Sequence, residues 1–478
     1  MSKSTKTIIH WVIVLTFIFG FGFLPPICDG ITPFGMQALG IFLGLIYGWC
    51  FLDFLCVSFI SVLAIGLTDY TTVLGAFGKG FSDQLFLMVL LLLMIVGYLE
   101  ESGLPTLITQ WFMTRKILQG HPYLLFASIF ICSGLLLAMG LSLGGILLVW
   151  VILYDVFNTL GYKKGDMVVT YVLFGVVVLG VIGNNIPHFQ MFSVTIISLL
   201  EQTLGVSISI GKWWIFNTIY FIVYLLAYLA LGKFILKLDI SKFLDCDNIF
   251  NSLTSSQVTS KQKIAGYMMI IFIAILMLPI ILPSNWPITI FLGKFGLVGG
   301  AVILMTITSI LRINGNPVTN WNDNARRGIN WGLLSMFFAL APVSAALESE
   351  EAGVMSTVTS ALTPMLDGLP VALFYFITFL VFFILTQFAH NLLLMMILTP
   401  TLLKLCVVVG ANPFVLIIGI CAVAQMAYMT PGASSPGAMF YGNSDWITTK
   451  QTYFMAAIGS LLGFLIIILL IPLASMLF

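Results

Sequence analysis

The chain has 478 residues, of which 60% are hydrophobic and only 8% charged, and its mean hydropathy is +1.12. Soluble globular proteins carry about 25% charged residues, so this sequence lacks the polar groups that cover a surface in water. The net charge is +1 and no long basic run occurs, so the sequence shows no basic surface for binding nucleic acid. Because no long alternating stretches typical of transmembrane barrels occur, the composition predicts an all-α polytopic protein whose partner is the lipid bilayer.

Apolar runs that are bounded by polar residues, proline or glycine predict eleven membrane-spanning helices. In chain order they cover residues 7–24, 32–50, 52–68, 84–100, 168–200, 213–236, 264–282, 288–311, 330–348, 411–440 and 452–478. The first run is predicted to stay as an uncleaved helix, because it is long, ends in Pro25-Pro26 and lacks an Ala-x-Ala site. Acidic residues near the predicted span ends are attributed to solvation: Asp53, Glu100, Glu101, Glu348, Glu350 and Glu351.

Two further apolar stretches, 123–160 and 370–408, are each too long for one membrane helix. Small or polar residues interrupt both near the middle, at Gly140 to Gly145 in the first and at Thr386 to Asn391 in the second. Irregular backbone at membrane depth is tolerated only where protein or a water-filled cavity satisfies it. Both stretches are therefore predicted to be re-entrant helical hairpins, the first entering from the cytoplasm and the second from outside.

Basic residues favour one orientation in the cell (inner) membrane. With the N-terminus in the cytoplasm and the C-terminus outside, fourteen of the 19 basic residues fall on the cytoplasmic side. The other five, on the outer side, are Lys79, Lys212, Lys294, Lys404 and Lys450. This asymmetry agrees with the positive-inside rule. If either hairpin were counted as one span, the predicted membrane orientation of every later segment would be inverted.

The two halves of the chain resemble each other. Glu100-Glu101-Ser102-Gly103-Leu104 has a counterpart in Glu350-Glu351-Ala352-Gly353-Val354, and the intervals Ser142 to Gly183 and His390 to Pro431 are both 41 residues. An odd number of spans separates the matching positions, so the repeats are predicted to be inverted. The predicted organisation is a first helix (1–31), a first repeat (32–237), a cytoplasmic linker (238–263) and a second repeat (264–478).

Four interruptions of the apolar pattern are predicted to converge on one site at the repeat interface, near the membrane midplane. They lie at 142–145, 183–188, 386–391 and 430–437. Helix N-termini at such breaks favour anions and unwound carbonyls favour Na+. The candidate substrate-binding residues are Ser142, Gly144, Asn184, Asn185, His390, Asn391, Pro431, Ser434 and Ser435. For His390 two interpretations stay open, a proton-sensitive site residue and a hydrogen-bonded buried ring.

Three segments of the second half carry a family resemblance. Asn330-Trp331-Gly332-Leu333-Leu334 through Glu351-Ala352-Gly353 resembles a W-G-L-L-L-F-G-G…E-x-x-G-L helix. Leu385 to Asn391, LTQFAHN, is similar to an L-T-E-F-x-S-N-T hairpin tip, and Met429 to Ala438, MTPGASSPGA, to an M-L-P-x-A-T-P-P-N-A unwound segment. These motifs are those of the divalent anion/sodium symporter family, within the wider ion-transporter superfamily.

The resemblance implies eleven spans, two hairpins, a homodimer and elevator-like alternating access. It also implies a di- or tricarboxylate or sulfate substrate, usually driven by Na+, with Ser-Asn-Thr tips that bind carboxylates and flank two Na+ sites. Carried over to this chain, the implied cation-binding residues are Ser142, Gly183, Thr386, Ala389, Asn391 and Ala433. The tips depart from the family pattern, because they read Ser142-Leu143-Gly144 and His390-Asn391-Leu392.

The sequence leaves more than one function open. The principal hypothesis is a Na+-coupled symporter of a small organic anion, and the alternative is a Na+-independent, proton-coupled carrier or exchanger of another anion. An enzyme is not expected, since HExxH and a GxGD pair are missing and Ser142 has no recognisable base. A channel would need a continuous polar pore lining, which the spans do not supply. No cofactor is expected beyond Na+ or H+ as coupling ion.

Overall fold

The computed structural model describes residues 3–118, 120–245, 258–283, 285–357, 360–361, 368–388, 390–431 and 433–478. Helices dominate these ranges. Up to residue 235 the α-helices are α1 (Lys3–Leu15), α2 (Pro33–Phe51), α3 (Phe54–Gly66), α4 (Val73–Phe81), α5 (Gln84–Ser102), α6 (Leu104–Met113), α7 (Pro122–Ala138), α8 (Ser142–Thr159), α9 (Met167–Gly183), α10 (Met191–Leu204) and α11 (Ile210–Ala230). Short π or 3-10 turns follow α1 at Thr16–Gly20 and Phe21–Phe23, α6 at Lys116–Leu118 and α11 at Leu231–Ile235.

The second half begins with a 3-10 turn at Ser241–Asp245. Its α-helices are α12 (Ser260–Ile281), α13 (Pro287–Gly293), α14 (Gly296–Ile310), α15 (Trp321–Gly328), α16 (Trp331–Glu348), α17 (Val371–Thr386), α18 (Asn391–Val408), α19 (Pro413–Ala424), α20 (Ser435–Gly442) and α21 (Thr449–Leu477). Between α14 and α15 the strands β1 (Arg312–Ile313) and β2 (Asn316–Pro317) form a small antiparallel ribbon.

The prediction of an all-α polytopic membrane protein is confirmed. Among the described residues, eight helices are long and apolar enough to cross a membrane, and α13 with α14, bent by 87°, would make a ninth. Several of the eleven predicted spans are divided into shorter helices. Residues 168–200 form α9 and α10, and residues 411–440 form α19 and α20. The span predicted at 52–68 is a single, shorter helix, α3, with 13 residues. The divisions occur where Gly, Asn and Pro cluster, since these residues disfavour a continuous helix.

Polar residues just before the helices explain where many of them begin. Asp53 accepts a hydrogen bond from the Cys56 amide (2.7 Å) and is the N-cap of α3, a more specific role than the predicted solvation. Both α12 and α21 start with a capping box, in which Thr259 pairs with Gln262 and Thr448 with Gln451. These caps satisfy amides that the first helical turn leaves unpaired.

The chain divides into two compact units. The first unit contains residues 1–91, 329–374 and 400–411, and the second contains 92–328, 375–399 and 412–478. Each unit takes residues from both predicted repeats, so the inverted repeats remain a prediction. Of the predicted linker, residues 246–257 lie outside the described residues.

The first unit is held by aromatic packing around α16. The Phe338 ring lies 5.0 Å from that of Phe59, 5.4 Å from that of Phe77 and 4.6 Å from that of Phe81. The Ser335 hydroxyl donates to the Phe54 carbonyl (3.0 Å), which joins α16 to the start of α3. Ring contacts of this kind add to the stabilisation from apolar burial.

The core of the second unit is built from close helix contacts and a row of tyrosines. Tyr220 and Tyr224 on α11 donate to carbonyls of α21, at Gly463 (3.3 Å) and Gly459 (2.9 Å). One turn further on, Tyr228 exchanges hydrogen bonds with Tyr171 of α9. Hydroxyls at this depth require partners. The row therefore fixes α9, α11 and α21 as a scaffold.

Candidate functional site

The first predicted hairpin consists of α7 and α8, and its tip is a sharp turn at residues 139–141. Gly140 has a φ of +95°, a left-handed conformation that glycine adopts without strain. The Leu141 amide bonds back to the Leu136 carbonyl (3.2 Å), closing the end of α7. The Gly145 amide donates to Leu141 (2.6 Å). The amides that precede it, from Ser142 onward, form the N-terminal end of α8 and have no carbonyl one turn earlier within the helix.

The two arms of this hairpin meet again at its base. The Phe243 ring, from the segment after α11, lies 5.1 Å from the Phe126 ring on α7 and 6.3 Å from the Phe157 ring on α8. The neighbouring Lys242 Nζ donates to the Gly161 carbonyl (2.9 Å). Near this base, the hydroxyl and amide of Ser241 donate hydrogen bonds that lower the pKa of the exposed Asp239 carboxyl. The start of the predicted linker thus covers the base of the first hairpin.

The second break follows α9, which ends at Gly183 as the sequence predicts. Asn185 is fully buried, and its side-chain oxygen accepts from Gln425 Nε2 and from Cys421 Sγ (3.4 Å). Its backbone carbonyl accepts from Trp213 Nε1 (3.0 Å). Within the described part of the chain, Asn185 Nδ2 has no partner. A buried donor without an acceptor costs about 1–3 kcal/mol, so this amide is an unusual group for the interior.

The second predicted hairpin consists of α17 and α18. Its outer ends meet where the Tyr375 hydroxyl donates to the Asn412 carbonyl (3.0 Å) and accepts from the Asn412 amide (2.7 Å). Its turn lies between Thr386 and Asn391, where the sequence predicts a break. Asn391 begins α18, is nearly buried, and its Oδ1 accepts from the Leu392 amide (2.9 Å).

Gln387 joins this turn to the fourth break. Its Nε2 donates to the carbonyls of Phe383 (3.1 Å) and Met426 (2.9 Å). Its Oε1 accepts from the amides of Tyr428 (3.2 Å) and Met429 (3.0 Å). A single buried side chain therefore satisfies three backbone groups of the unwound segment after α19, where helical hydrogen bonding has ended.

Two more hydrogen bonds hold the same junction. The Thr430 hydroxyl donates to the Gln387 carbonyl, and the Thr386 hydroxyl donates to the Ala424 carbonyl (3.1 Å) at the end of α19. Beyond the unwound segment, Ser434 is the N-cap of α20, and it accepts from the Gly437 amide (3.1 Å). The unwound backbone is thus fixed from both ends.

All four predicted breaks lie in the second unit, and hydrogen bonds connect the first to the second, the second to the fourth and the fourth to the third. Gln190 Nε2 donates to the Ala138 carbonyl (2.6 Å), which joins the second break to the first. Asn185 and Gln425 join the second break to the fourth, and Gln387 joins the fourth to the third. The four breaks are thus connected to one another within this unit, and their convergence on one binding site remains a prediction.

The predicted site residues differ in their surroundings. Asn184 and His390 are half-buried, whereas Gly144, Pro431 and Ser435 are exposed. The His188 Nδ1 accepts from Trp214 Nε1 (3.2 Å). Buried members are Gly183, Asn185, Thr386, Asn391, Ala433 and Ser434. Ser142 takes the first position of α8, and Ala389 lies outside the described residues.

Sequence reasoning did not single out the three glutamines that connect the breaks, Gln190, Gln387 and Gln425. A signal was present for Gln425, which is an isolated amide in a strongly apolar stretch, and Gln387 lies inside the predicted break at 386–391. Such a group needs a partner in the membrane. The partners were not visible, since Gln425 and Asn185 are 240 residues apart.

Comparison with known protein families shows the family to which the chain belongs. The family described as sodium:sulfate symporter transmembrane region matches residues 5–478. The chain belongs to this family. The resemblance drawn from the hairpin and unwound motifs is thereby confirmed. A search of curated proteins gives no match. As a member of this family, the protein is a multi-pass membrane transporter, and its family is one of sodium-coupled anion symporters.

Proposed function

We propose that the protein carries a small organic anion, of the di- or tricarboxylate type, by Na+-coupled, elevator-type alternating access. The observation that carries the proposal is the set of hydrogen bonds by which the side-chain amides of Gln190, Gln425 and Gln387 connect four helix breaks within the second unit. Secondary transporters place substrate and coupling ions where discontinuous helices meet.

Two features favour an anion. The helices α8 and α18 both begin at a hairpin turn, and their first amides are donors at the positive end of a helix dipole. Asn185 adds a buried amide without an acceptor in the described residues. Neutral donors of this kind hold a carboxylate without the cost of a buried countercharge. Ser142, Gly144, Asn391 and the residues around Ser434 are the proposed substrate contacts.

The same breaks offer carbonyl oxygens to a cation. The helices α9 and α17 end at Gly183 and Thr386. The Gly183 carbonyl accepts from the Ile186 amide (3.1 Å), and since a carbonyl oxygen has two lone pairs it can also coordinate a cation. Na+ is held in transporters by such unwound carbonyls together with hydroxyls. Gly183 and Thr386, with Ser142, Asn391 and Ala433, are the proposed Na+ contacts.

The alternative function is a Na+-independent carrier or exchanger in which His390 takes part in proton coupling. The half-buried position of His390, directly before the first residue of α18, favours keeping this alternative. A change of charge on the ring would act at the helix end where the anion is proposed to bind.

A thermal-shift experiment tests the proposed function. Purified protein is heated with sulfate, succinate or citrate, with and without Na+, at pH 6 and pH 7.5. A ligand raises the melting temperature as its concentration passes its dissociation constant. We expect succinate or citrate to stabilise the protein only with Na+, and Asn391→Ala to remove the effect while Asn158→Ala, an exposed asparagine at the other end of the first hairpin, retains it.

Other outcomes favour or exclude particular functions. Stabilisation that ignores Na+, follows pH and vanishes in His390→Ala supports the proton-linked alternative. No shift with any anion contradicts anion transport.

The homodimer is part of the proposal, and light scattering of the detergent-solubilised protein tests it, with a dimer mass as the expected result.

A further inference from the structure

The carboxylate of Glu100 lies at the N-terminal end of α8. A Cβ added at Gly144 would be 3.0 Å from Glu100 Oε1 and 4.0 Å from its Cδ. One turn earlier on α5, Val96 contacts the tip at Gly140, where an added Cβ would be 2.9 Å from Val96 Cγ2. Because residues four apart share a helix face, α5 runs along the tip and presents Glu100 to the first turn of α8.

The adjacent residue, Glu101, has a different environment. Its carboxylate lies 3.3 Å from Lys261 Nζ and accepts a hydrogen bond from the Thr319 hydroxyl, which in turn accepts from Asn324 (2.7 Å). Glu100 is exposed, and the ion pairs found in the described part of the chain do not include it. Glu101 is thus neutralised locally, whereas the negative charge of Glu100 acts on the hairpin tip.

We infer that Glu100 sets the charge selectivity of the anion site at the first hairpin tip. This inference rests on the proposed function, since it concerns the same site. The carboxylate shares the helix end with the incoming anion and repels it in proportion to the charge of the anion. A dianion is therefore disfavoured relative to a monoanion of the same shape, so Glu100 lowers the preference of the site for a dianion.

The size of the effect follows from Coulomb's law. Two unit charges about 4 Å apart in water interact by about 1 kcal/mol, or about fivefold in a binding constant. Replacing Glu100 by glutamine removes the charge and leaves the shape of the side chain. We expect Glu100→Gln to tighten binding of a monoanion about fivefold and of a dianion about 25-fold.

The experiment uses two matched pairs of anions, succinate with succinamate and sulfate with methanesulfonate. Dissociation constants are measured by calorimetric titration at pH 8, with Na+ and ionic strength held constant, for the wild type and for Glu100→Gln. The conservative variant Glu100→Asp retains the charge, and Glu101→Gln removes the neighbouring, neutralised charge. The full-length protein in detergent is used throughout.

The expected result is a preference for the dianion over its matched monoanion that rises about fivefold in Glu100→Gln. Glu100→Asp and Glu101→Gln keep the wild-type ratio. An equal change for both members of each pair shows a structural role and overturns the inference, as does no change. If none of the four anions binds the wild type, the proposed anion site itself is wrong. Binding that is unaltered in Glu100→Gln refutes only the role of Glu100.

Discussion

Gln387 is the residue on which the geometry of the unwound segment most depends. Replacement by methionine keeps an unbranched side chain of similar length but removes its hydrogen bonds. The Met429 amide then loses its partner at a partly buried position, whereas the Met426 carbonyl and the Tyr428 amide keep the hydrogen bond to each other (3.2 Å). One amide left without an acceptor costs about 1–3 kcal/mol.

The melting temperature gives the measure of this loss. With an unfolding entropy of about 2.1 cal/mol/K per residue, a chain of 478 residues has about 1 kcal/mol/K. We therefore expect Gln387→Met to lower the melting temperature by about 1–3 °C, and to abolish stabilisation by the anion. The control is Gln84→Met at an exposed glutamine of α5, with a change below about 1 °C. A Gln387→Met protein that melts and binds like the wild type would refute the reasoning.

Three further predictions concern contacts within the second unit. Asn185→Ala and Gln425→Ala should each cost about 1–3 kcal/mol, and the double variant should cost much less than their sum, because both remove one hydrogen bond. Gly183→Ala should reduce the yield of folded protein in fluorescence size-exclusion chromatography, because the new Cβ would lie 2.5 Å from the Cα of Gly134. Phe243→Ala should speed hydrogen exchange at the base of the first hairpin, where its buried ring packs.

Neighbouring residues supply the controls for these three. Asn184→Ala, at the half-buried adjacent position, should be additive with Gln425→Ala. Gly144→Ala should fold normally, since the nearest atom to its Cβ belongs to the end of the flexible Glu100 side chain. Leu244→Ala, at the exposed residue that follows Phe243, should leave the hydrogen exchange of the hairpin base near the wild-type rate. If these control variants behave like the principal ones, the specific contacts do not carry the effects.

Much of the fold was predictable, because the residues that interrupt an apolar run lie next to the helix ends that they determine. Gly183 ends α9 and Ser434 caps α20, within the Asn/Pro and Ser/Gly clusters that the sequence marks as breaks. The 87° bend between α13 and α14 was missed. The run 288–311 is apolar on both sides of Lys294, and the left-handed Gly296 that permits the turn looks like many other glycines.

The connections within the site were less predictable, because they join residues far apart in the sequence. Gln387 and Gln425 are amides in apolar runs, but only the fold shows which carbonyls and amides they satisfy. Glu100 was attributed to solvation at a span end, and it is indeed exposed. Its approach to Gly144 depends on how α5 passes the hairpin tip, which no local pattern reveals.

Transport measured in liposomes tests the proposed function most directly. Protein reconstituted in liposomes is given labelled succinate or citrate with an inward Na+ gradient, with no gradient, or with K+ in place of Na+. We expect saturable uptake that requires the Na+ gradient and that is lost in Asn391→Ala but kept in Asn158→Ala. Uptake that is the same in K+ as in Na+ would contradict Na+ coupling, and the absence of saturable uptake of succinate, citrate and sulfate under all three conditions would contradict the central claim.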